Sequence, residues 1–598
     1  MTRPRPGRPQ RPTRNAAGPS VKPIGTVRRA QVITTYGVGG MIAIDEASYI
    51  VAGLDSWKLN KQQRIIEPRL QSALRVAELY LPPSENSFHG AAVRRFPEMY
   101  SCQGGSCNLL QEHRRFGGGS ACVCGGSLIP SRFVVACEDG HLDDFPYRAW
   151  VHRGSEDGWC DRALHLVSTG RSASLRSIEI ICECGRKASM EGAFRRSELG
   201  RLGIKCRGGR PWLGSSHRMA GCTKPPRTMQ RGSSAAWFGV VRSSLAIPPW
   251  SSELHQMIDE RFDMLAGESD ETIARMAEKA GWLKGNVTAQ HVIDAVRRRE
   301  QLTAGVDPDD DGQLDDTLKV AEYEQLCTPA TDDEIEQNHD FECVPAVGDP
   351  PAPQIVQVMQ VNRLREVRAL QAFTRVEPPS PADAGGRRAS LSIGQLDWLP
   401  AMEVRGEGVF IRLDPTRLQS WESSTPVRER AGRIVANHQK LLDRRASTTG
   451  RDAPMSEVTP RTLLIHTIAH LLINEWSLDS GYSASAMRER LYTTGEMAGF
   501  LIYTATSDSA GSLGGIVRQA TSDRLGRTLA SALSRAEWCS ADPLCMEADA
   551  AGADSLNLAA CHVCSLLPET SCEHNNTLLD RGLVVGWPGS PQSGFFSA

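Results

Sequence analysis

Three cysteines and two histidines fall within AACHVCSLLPETSCEHNN, residues 559–576, a stretch otherwise too polar to be core. Cys561-x2-Cys564 has the spacing of a zinc half-site, because two thiolates one tight turn apart can reach the same tetrahedral ion. Cys572 follows, and Cys539 and Cys545 stand upstream in WCSADPLC, so five cysteines compete for four places. An all-cysteine, four-coordinate shell leaves no open position for substrate, and its metal would be structural. His562 and His574 could exchange into such a shell without opening it.

Two more groups lie upstream. Cys102-x4-Cys107 is followed by Cys122-x-Cys124, with Gly104, Gly105, Gly125 and Gly126 placed where tight turns around an ion would need them. Cys182 and Cys184, in CECG, are followed by Cys206 and Cys222 and give a second four-cysteine set. Cys137 and His141 form a Cys-x3-His pair in VVACEDGHLDDF, with Cys160 downstream. They could replace a ligand in either set, but the reading favoured for His141 is a hydrogen bond to Asp143 or Asp144. Three structural zinc ions are the most these groups would hold.

Patterns that resemble catalytic sites are incomplete. His466 and His470 stand four apart on an apolar helix, as in a zincin pair, yet the position after the first histidine holds Thr467 rather than the general-base glutamate. They read as core histidines. DPDDDG at 307–312 begins like a calcium loop, but its twelfth position is Leu318, which offers no carboxylate. HQKLLD, with His438, Lys440 and Asp443, lacks the spacing and the second copy of a phospholipase D signature. No G-x4-G-K-[ST] occurs, so YGVGGMI and GSLGGIVRQ lack the lysine a nucleotide phosphate needs. The chain reads as a non-enzyme. A rival reading is a metal-dependent nuclease using His141, Asp143 and Asp144, or the His466/His470 pair. A third is a regulator acting through protein contacts alone.

The elements that must carry these groups are mixed. The 598 residues are 40% hydrophobic and 23% charged, ordinary for a globular chain. Seventeen cysteines, an odd number, with no secretory signal, point to metal ligands before disulfides and to the cytoplasm. No apolar run is long enough for a membrane span. The division expected is a disordered basic arm (1–27), an N-terminal α/β segment (28–97) and a cysteine-rich zinc-binding region (98–250). Then come a helical acidic region (251–343), Pro-rich linkers around a connecting helix VNRLREVRALQAF (344–400), the C-terminal four-cysteine module (401–585) and a tail (586–598). MEVRGEGVFIRLD reads as a strand pair, residues 459–477 as a buried helix and GFLIYTA as a buried strand. The fold class is α/β mixed and multidomain, with zinc-stapled small modules.

The blocks RRAQVITTYGVGGMIAI, FVVACEDGHLDDFPYRAWVH, VNRLREVRALQAFTRV, LPAMEVRGEGVFIRLD, HTIAHLLINEW, YTATSDSAGSLGGIVRQ and AACHVCSLLPETSCEHNNTLLDR together resemble the DrmB family, a core subunit of the bacterial DISARM anti-phage defence system. The resemblance runs from about Arg28 to Arg581, and the C-terminal part also resembles the four-cysteine module of MrfA-type DNA-repair helicases. It implies that Cys561, Cys564 and Cys572 are ligands, with Cys545, ahead of Cys539, as the fourth. It further implies a DrmA-like superfamily 2 helicase as partner, and joint binding of DNA with single-stranded or overhang character. Arg114, Arg115, Arg207 and Arg210, beside the first two cysteine groups, are the candidate phosphate contacts.

Overall fold

The computed structural model describes residues 23–83, 90–153, 160–168, 174–214, 216–284, 287–303, 311–379, 387–449, 452–504 and 515–597. Most of the expected basic arm, residues 307–310 of the calcium-loop mimic and most of GSLGG lie outside them.

The segment expected as a connecting helix is instead a strand, Ile355–Thr374, of 20 residues. Val361, Leu364, Val367 and Leu370 recur at near-helical spacing, but the strand is covered on both faces, so burial does not alternate along it. Three of its charged residues are buried in ion pairs, Arg365 with Glu403 at 2.8 Å and Arg368 with Glu366 at 2.5 Å. Beside it runs Trp398–Leu413, a single strand rather than the expected pair. Gly406 and Gly408 do not turn the chain there. A side chain at Gly406 would strike the Thr504 carbonyl of the neighbouring Gly499–Thr504 strand, so glycine permits a close approach within the sheet.

These strands are the centre of an eight-stranded sheet. Phe238–Leu245 and Phe341–Pro345 pair with the long strand, Met487–Tyr492 pairs with Gly499–Thr504, and Glu78–Tyr80 joins Trp398–Leu413 in parallel. The segments distinguished in the sequence therefore share one sheet. The Pro460–Asp479 helix, buried nearly all round as expected, packs on this sheet through Leu464, Ile468 and Leu472 against Ile411, Phe500 and Ile502. The last residues dock rather than trail. The Trp421 indole donates to the Ser593 carbonyl at 2.8 Å, and Phe595 is buried against it.

The cysteine-rich region holds a six-stranded sheet of short strands, ordered Lys187–Ser189, Ile178–Cys182, Leu164–Ser168, Leu109–Glu112, Met99–Cys102, Leu128–Pro130. A three-stranded sheet, Leu142–Asp144, Phe133–Ala136, Arg227–Gln230, lies in the same region. The acidic region is helical as expected, with its own apolar cluster of Ile258, Leu265, Ile273, Val292 and Val296. Among the described residues no helix is long and apolar enough to cross a membrane.

The buried Glu366 makes acid stability testable. Burial raises its pKa, but the adjacent Arg368 outweighs burial, and the carboxyl is lowered from 4.5 to about 2. A depressed carboxyl contributes its full stability above the unfolded value near 4.5 and loses it as pH falls through about 2. Glu366→Gln is expected to remove roughly 3 kcal/mol at neutral pH. Denaturant midpoints measured from pH 6 to pH 2 should converge with the parent at the acid end.

Candidate metal centres

Among the described residues, cysteines and histidines converge in four thiolate-rich clusters and in one further mixed set, the donor atoms of each lying within 4.8 Å of one another.

Cys102, Cys107, Cys122 and Cys124 come together as one group. Cys102 ends a strand, and Cys122-x-Cys124 forms a knuckle closed by Gly125 at φ +84°, whose amide donates to the Cys122 carbonyl at 2.8 Å. The sulfurs of Cys102 and Cys124 are 3.4 Å apart, and those of Cys107 and Cys122 3.9 Å apart. A tetrahedral zinc with sulfur at about 2.3 Å sets sulfurs roughly 3.7 Å apart, so the spacing suits that ion. The cradle is tight. A Cβ on Gly126 would lie 2.6 Å from the Gly104 nitrogen and 2.7 Å from the Cys102 sulfur.

The second expected group divides. Cys182 and Cys184 lie with Cys160 and His152, whereas Cys206 and Cys222 lie with Cys137 and His141. Cys182-x-Cys184 repeats the first knuckle. Gly185 has φ +96° and its amide donates to the Cys182 carbonyl at 2.9 Å. Cys160 and Cys182 are 3.6 Å apart, and His152 Nε2 is 3.4 Å from the Cys184 sulfur. His152 Nδ1 donates to the Arg148 carbonyl at 2.8 Å, which leaves the Nε2 lone pair facing the sulfurs.

In the other half, Cys137 and His141 flank a hairpin turn between Phe133–Ala136 and Leu142–Asp144. His141 Nδ1 is 3.3 Å from the Cys137 sulfur and 3.7 Å from the Cys206 sulfur, and makes no bond to Asp143 or Asp144. The hydrogen-bond reading favoured for His141 is thus corrected. Asp143 is instead held by both Arg218 nitrogens at 3.2 Å, and Asp144 accepts the Glu98 and Met99 amides at 3.1 and 2.9 Å. A fully buried guanidinium, Arg375, is nearby; it donates to the carbonyls of Gly140 and Gly39 at 3.0 and 2.7 Å and to that of Ala236, and lies over the rings of Trp212 and Phe373. Burial lowers its pKa to about 9, and the nearby Cys137 sulfur works against that. Three thiolates on a divalent ion leave one net negative charge, a fitting neighbour for this cation.

In the C-terminal region the fourth cluster is Cys539, Cys545, Cys561 and Cys564. Cys539 and Cys561 are 3.5 Å apart, Cys545 and Cys564 3.8 Å. Both upstream cysteines are members, and Cys572, the expected ligand, is not. It lies with His466, His470 and Glu489. The resemblance to the MrfA-type module points to Cys572, but the chain after Cys564 carries it to the buried helix, beside His466.

Crowded thiols cannot all ionise without a cation. Cys206 is lowered to about 4, first because Cys137 donates to it, and Cys564 to about 5, first because Cys545 donates to it. Cys137 is raised, first by that same contact with Cys206, and Cys545 likewise by Cys564. A divalent ion would release the remaining protons. Four cysteines in two of the clusters, and three cysteines with one histidine in the other two, are the donor sets of closed zinc sites.

The candidate arginines lie beside these clusters. Arg114 and Arg115 sit on the His113–Phe116 turn and face Glu112 at 2.5 and 3.8 Å. Arg207 is exposed next to Cys206, and Arg210 contacts the Met219 sulfur at 3.0 Å. His152 carried no sequence signal of its own. The repeated Cys-x-Cys-Gly pattern was the available sign that CVCGG and CECGR are equivalent half-sites of two different centres.

A family described as "Domain of unknown function (DUF8724)" matches residues 28–238, and one described as "MrfA Zn-binding domain" matches residues 468–565. The second match takes in all four cysteines of the C-terminal cluster and stops before Cys572. The chain is 32% identical over 572 residues to the DISARM protein DrmB of Bacillus paralicheniformis (strain ATCC 9945a / NCIMB 11709 / CD-2), covering 92% of this chain and 98% of that relative. With these clusters, the zinc-binding match makes structural zinc the cofactor.

Proposed function

This chain belongs to the DrmB family of DISARM proteins, and from that premise we propose that it is a non-catalytic zinc subunit that pairs with a DrmA-like superfamily 2 helicase to bind DNA. The observation that carries the reading is a match to the zinc-binding domain named for MrfA on a chain whose sequence has no phosphate-binding lysine loop. The resemblance to the module of MrfA-type helicases supports work beside a motor, which here would be a separate chain. The ligand sets proposed are Cys102/Cys107/Cys122/Cys124, His152/Cys160/Cys182/Cys184, Cys137/His141/Cys206/Cys222 and Cys539/Cys545/Cys561/Cys564. The zinc knuckles hold nearby arginines on short, rigid turns, so phosphate contacts cost little ordering. Single-stranded or overhang-containing DNA is the substrate class proposed.

Against the nuclease reading, Asp143 is committed to Arg218 and Asp144 to backbone amides. The test is co-expression with a DrmA-like superfamily 2 helicase, followed by DNA binding across a salt series. The complex is expected to bind overhang DNA at least tenfold tighter than the helicase alone, with the log–log salt slope shallower in an Arg114→Ala/Arg115→Ala/Arg207→Ala variant. No complex, or equal binding with and without this chain, would overturn the reading. So would DNA cleavage by the isolated chain with Mg²⁺ or Mn²⁺ that disappears in Asp143→Asn.

A further inference from the structure

Beyond this partnership, and independently of it, we infer that His466, His470, Glu489 and Cys572 hold a fifth metal ion, a zinc-class divalent cation, inside the C-terminal region. His466 and His470 project from the same side of the Pro460–Asp479 helix, ring centroids 4.5 Å apart, and both have 0% exposure. Each Nδ1 faces a backbone carbonyl, Leu578 at 3.2 Å for His466 and Ser565 at 2.8 Å for His470. A carbonyl only accepts, so Nδ1 holds the proton and a neutral ring presents a lone pair at Nε2. This is how metal-bound histidines are held.

Both Nε2 atoms point at Glu489 Oε1, at 3.1 and 3.4 Å, and that of His466 is also 3.2 Å from the Cys572 sulfur. The other contacts of these two residues also make them acceptors. The sulfur receives the His574 and Asn576 amides at 3.3 and 3.2 Å, and Glu489 Oε1 receives the Glu573 amide at 3.1 Å. His470 Nε2 and Glu489 Oε2 are buried without a hydrogen bond. Four acceptors thus face one centre, and only positive charge between them makes the arrangement attractive. Two extra protons would supply it, but would set two imidazolium rings 4.5 Å apart in an apolar core. One divalent ion supplies it without that repulsion. Nitrogen and oxygen donors at about 2.0 Å from zinc lie roughly 3.3 Å from each other, the spacing found here.

A carboxylate and a thiolate neutralise the ion, so the unit as a whole is uncharged, as its burial requires. Two imidazoles and a thiolate select a borderline metal over magnesium or calcium. Closed off from solvent, the ion would tie the helix, the Met487–Tyr492 strand and the Cys572 turn together without taking part in a reaction.

The test compares metal content of the full native chain, by elemental analysis, with that of His470→Gln, and adds ¹¹³Cd NMR of the cadmium-exchanged native chain. Five equivalents in the native protein and four in the variant are expected. The cadmium spectrum should contain a resonance upfield of the thiolate-rich group that is absent from the variant. Equal metal content in both proteins, or a native spectrum with thiolate-rich resonances only, would overturn the site and leave a protonated His–Glu–Cys network. Because the spectrum is read on the native chain, a variant that fails to fold still leaves a decision. Neither readout involves the helicase or DNA, so failure here leaves the proposed partnership standing.

Discussion

Cys564→Ser is expected to release one zinc per chain and to unfold the C-terminal cysteine region. Cys564 contacts two other sulfurs of its cluster, at 3.7 and 3.8 Å, and its own sulfur receives the Cys561 amide at 3.2 Å. Apolar burial around this cluster is thin, for Trp538, Leu544 and Val563, each adjacent to a cluster cysteine, are largely exposed. The ion therefore does the work that a core does elsewhere. Structural zinc contributes about 10–16 kcal/mol in small zinc modules, comparable to or larger than the 5–15 kcal/mol that holds an ordinary domain. Serine keeps the shape but offers no thiolate. Zinc content and limited proteolysis measure the result, with new cleavage expected between residues 538 and 580 and weakened assembly with the helicase. Cys327→Ser, outside every cluster, is the control that should keep its metal. An intact fold that has lost only a chemical activity would make this metal catalytic.

Glu322→Gln is expected to cost about 3–5 kcal/mol by leaving buried arginines without their counter-charge. Glu322 is fully buried on the Asp311–Cys327 helix. Its carboxylate accepts from Arg490 at 2.5 and 2.9 Å, from the Tyr492 hydroxyl at 3.2 Å and from the Leu245 amide at 3.0 Å. Arg69 approaches to 3.9 Å. One carboxylate thus joins the acidic helical region to two strands of the central sheet. Glutamine can keep one or two of these hydrogen bonds but none of the charge. Denaturant unfolding followed by proteolysis should show the 311–327 helix becoming susceptible first. Removing the partner as well, in Glu322→Gln/Arg490→Met, should recover part of the loss, since a neutral pair is easier to bury than a lone guanidinium. An unchanged midpoint in the single variant would mean that this helix docks by apolar contacts alone.

The two variants mark the boundary of what was legible in advance. The helical, acidic character of the 251–343 region was plain in the sequence, but which of its carboxylates is buried was not, and Glu322 is buried against Arg490. Charge type is local information, and the partner that neutralises it lies 168 residues away. The same limit explains the long strand. Arginine-rich VNRLREVRALQAF carries helical spacing, and only the strands on either side, one of which brings Glu403 to Arg365, make it a strand.

By itself the sequence determined that the chain holds zinc, because Cys-x-Cys-Gly and Cys-x2-Cys turns bring two sulfurs together through backbone geometry that needs nothing beyond five or so residues. It also determined the family, through long blocks along the chain, and the buried character of the 459–477 helix. Which half-sites share an ion was decided only by the tertiary structure. Pairing half-sites means closing loops of tens to hundreds of residues, and the choice among closures is made by the sheets. The six-stranded sheet sets Cys182 and Cys184 beside Cys160 and His152, and the hairpin of Cys137 and His141 faces Cys206 and Cys222. Cys572, near in sequence to one cluster, is drawn to the histidines of a helix 106 residues earlier.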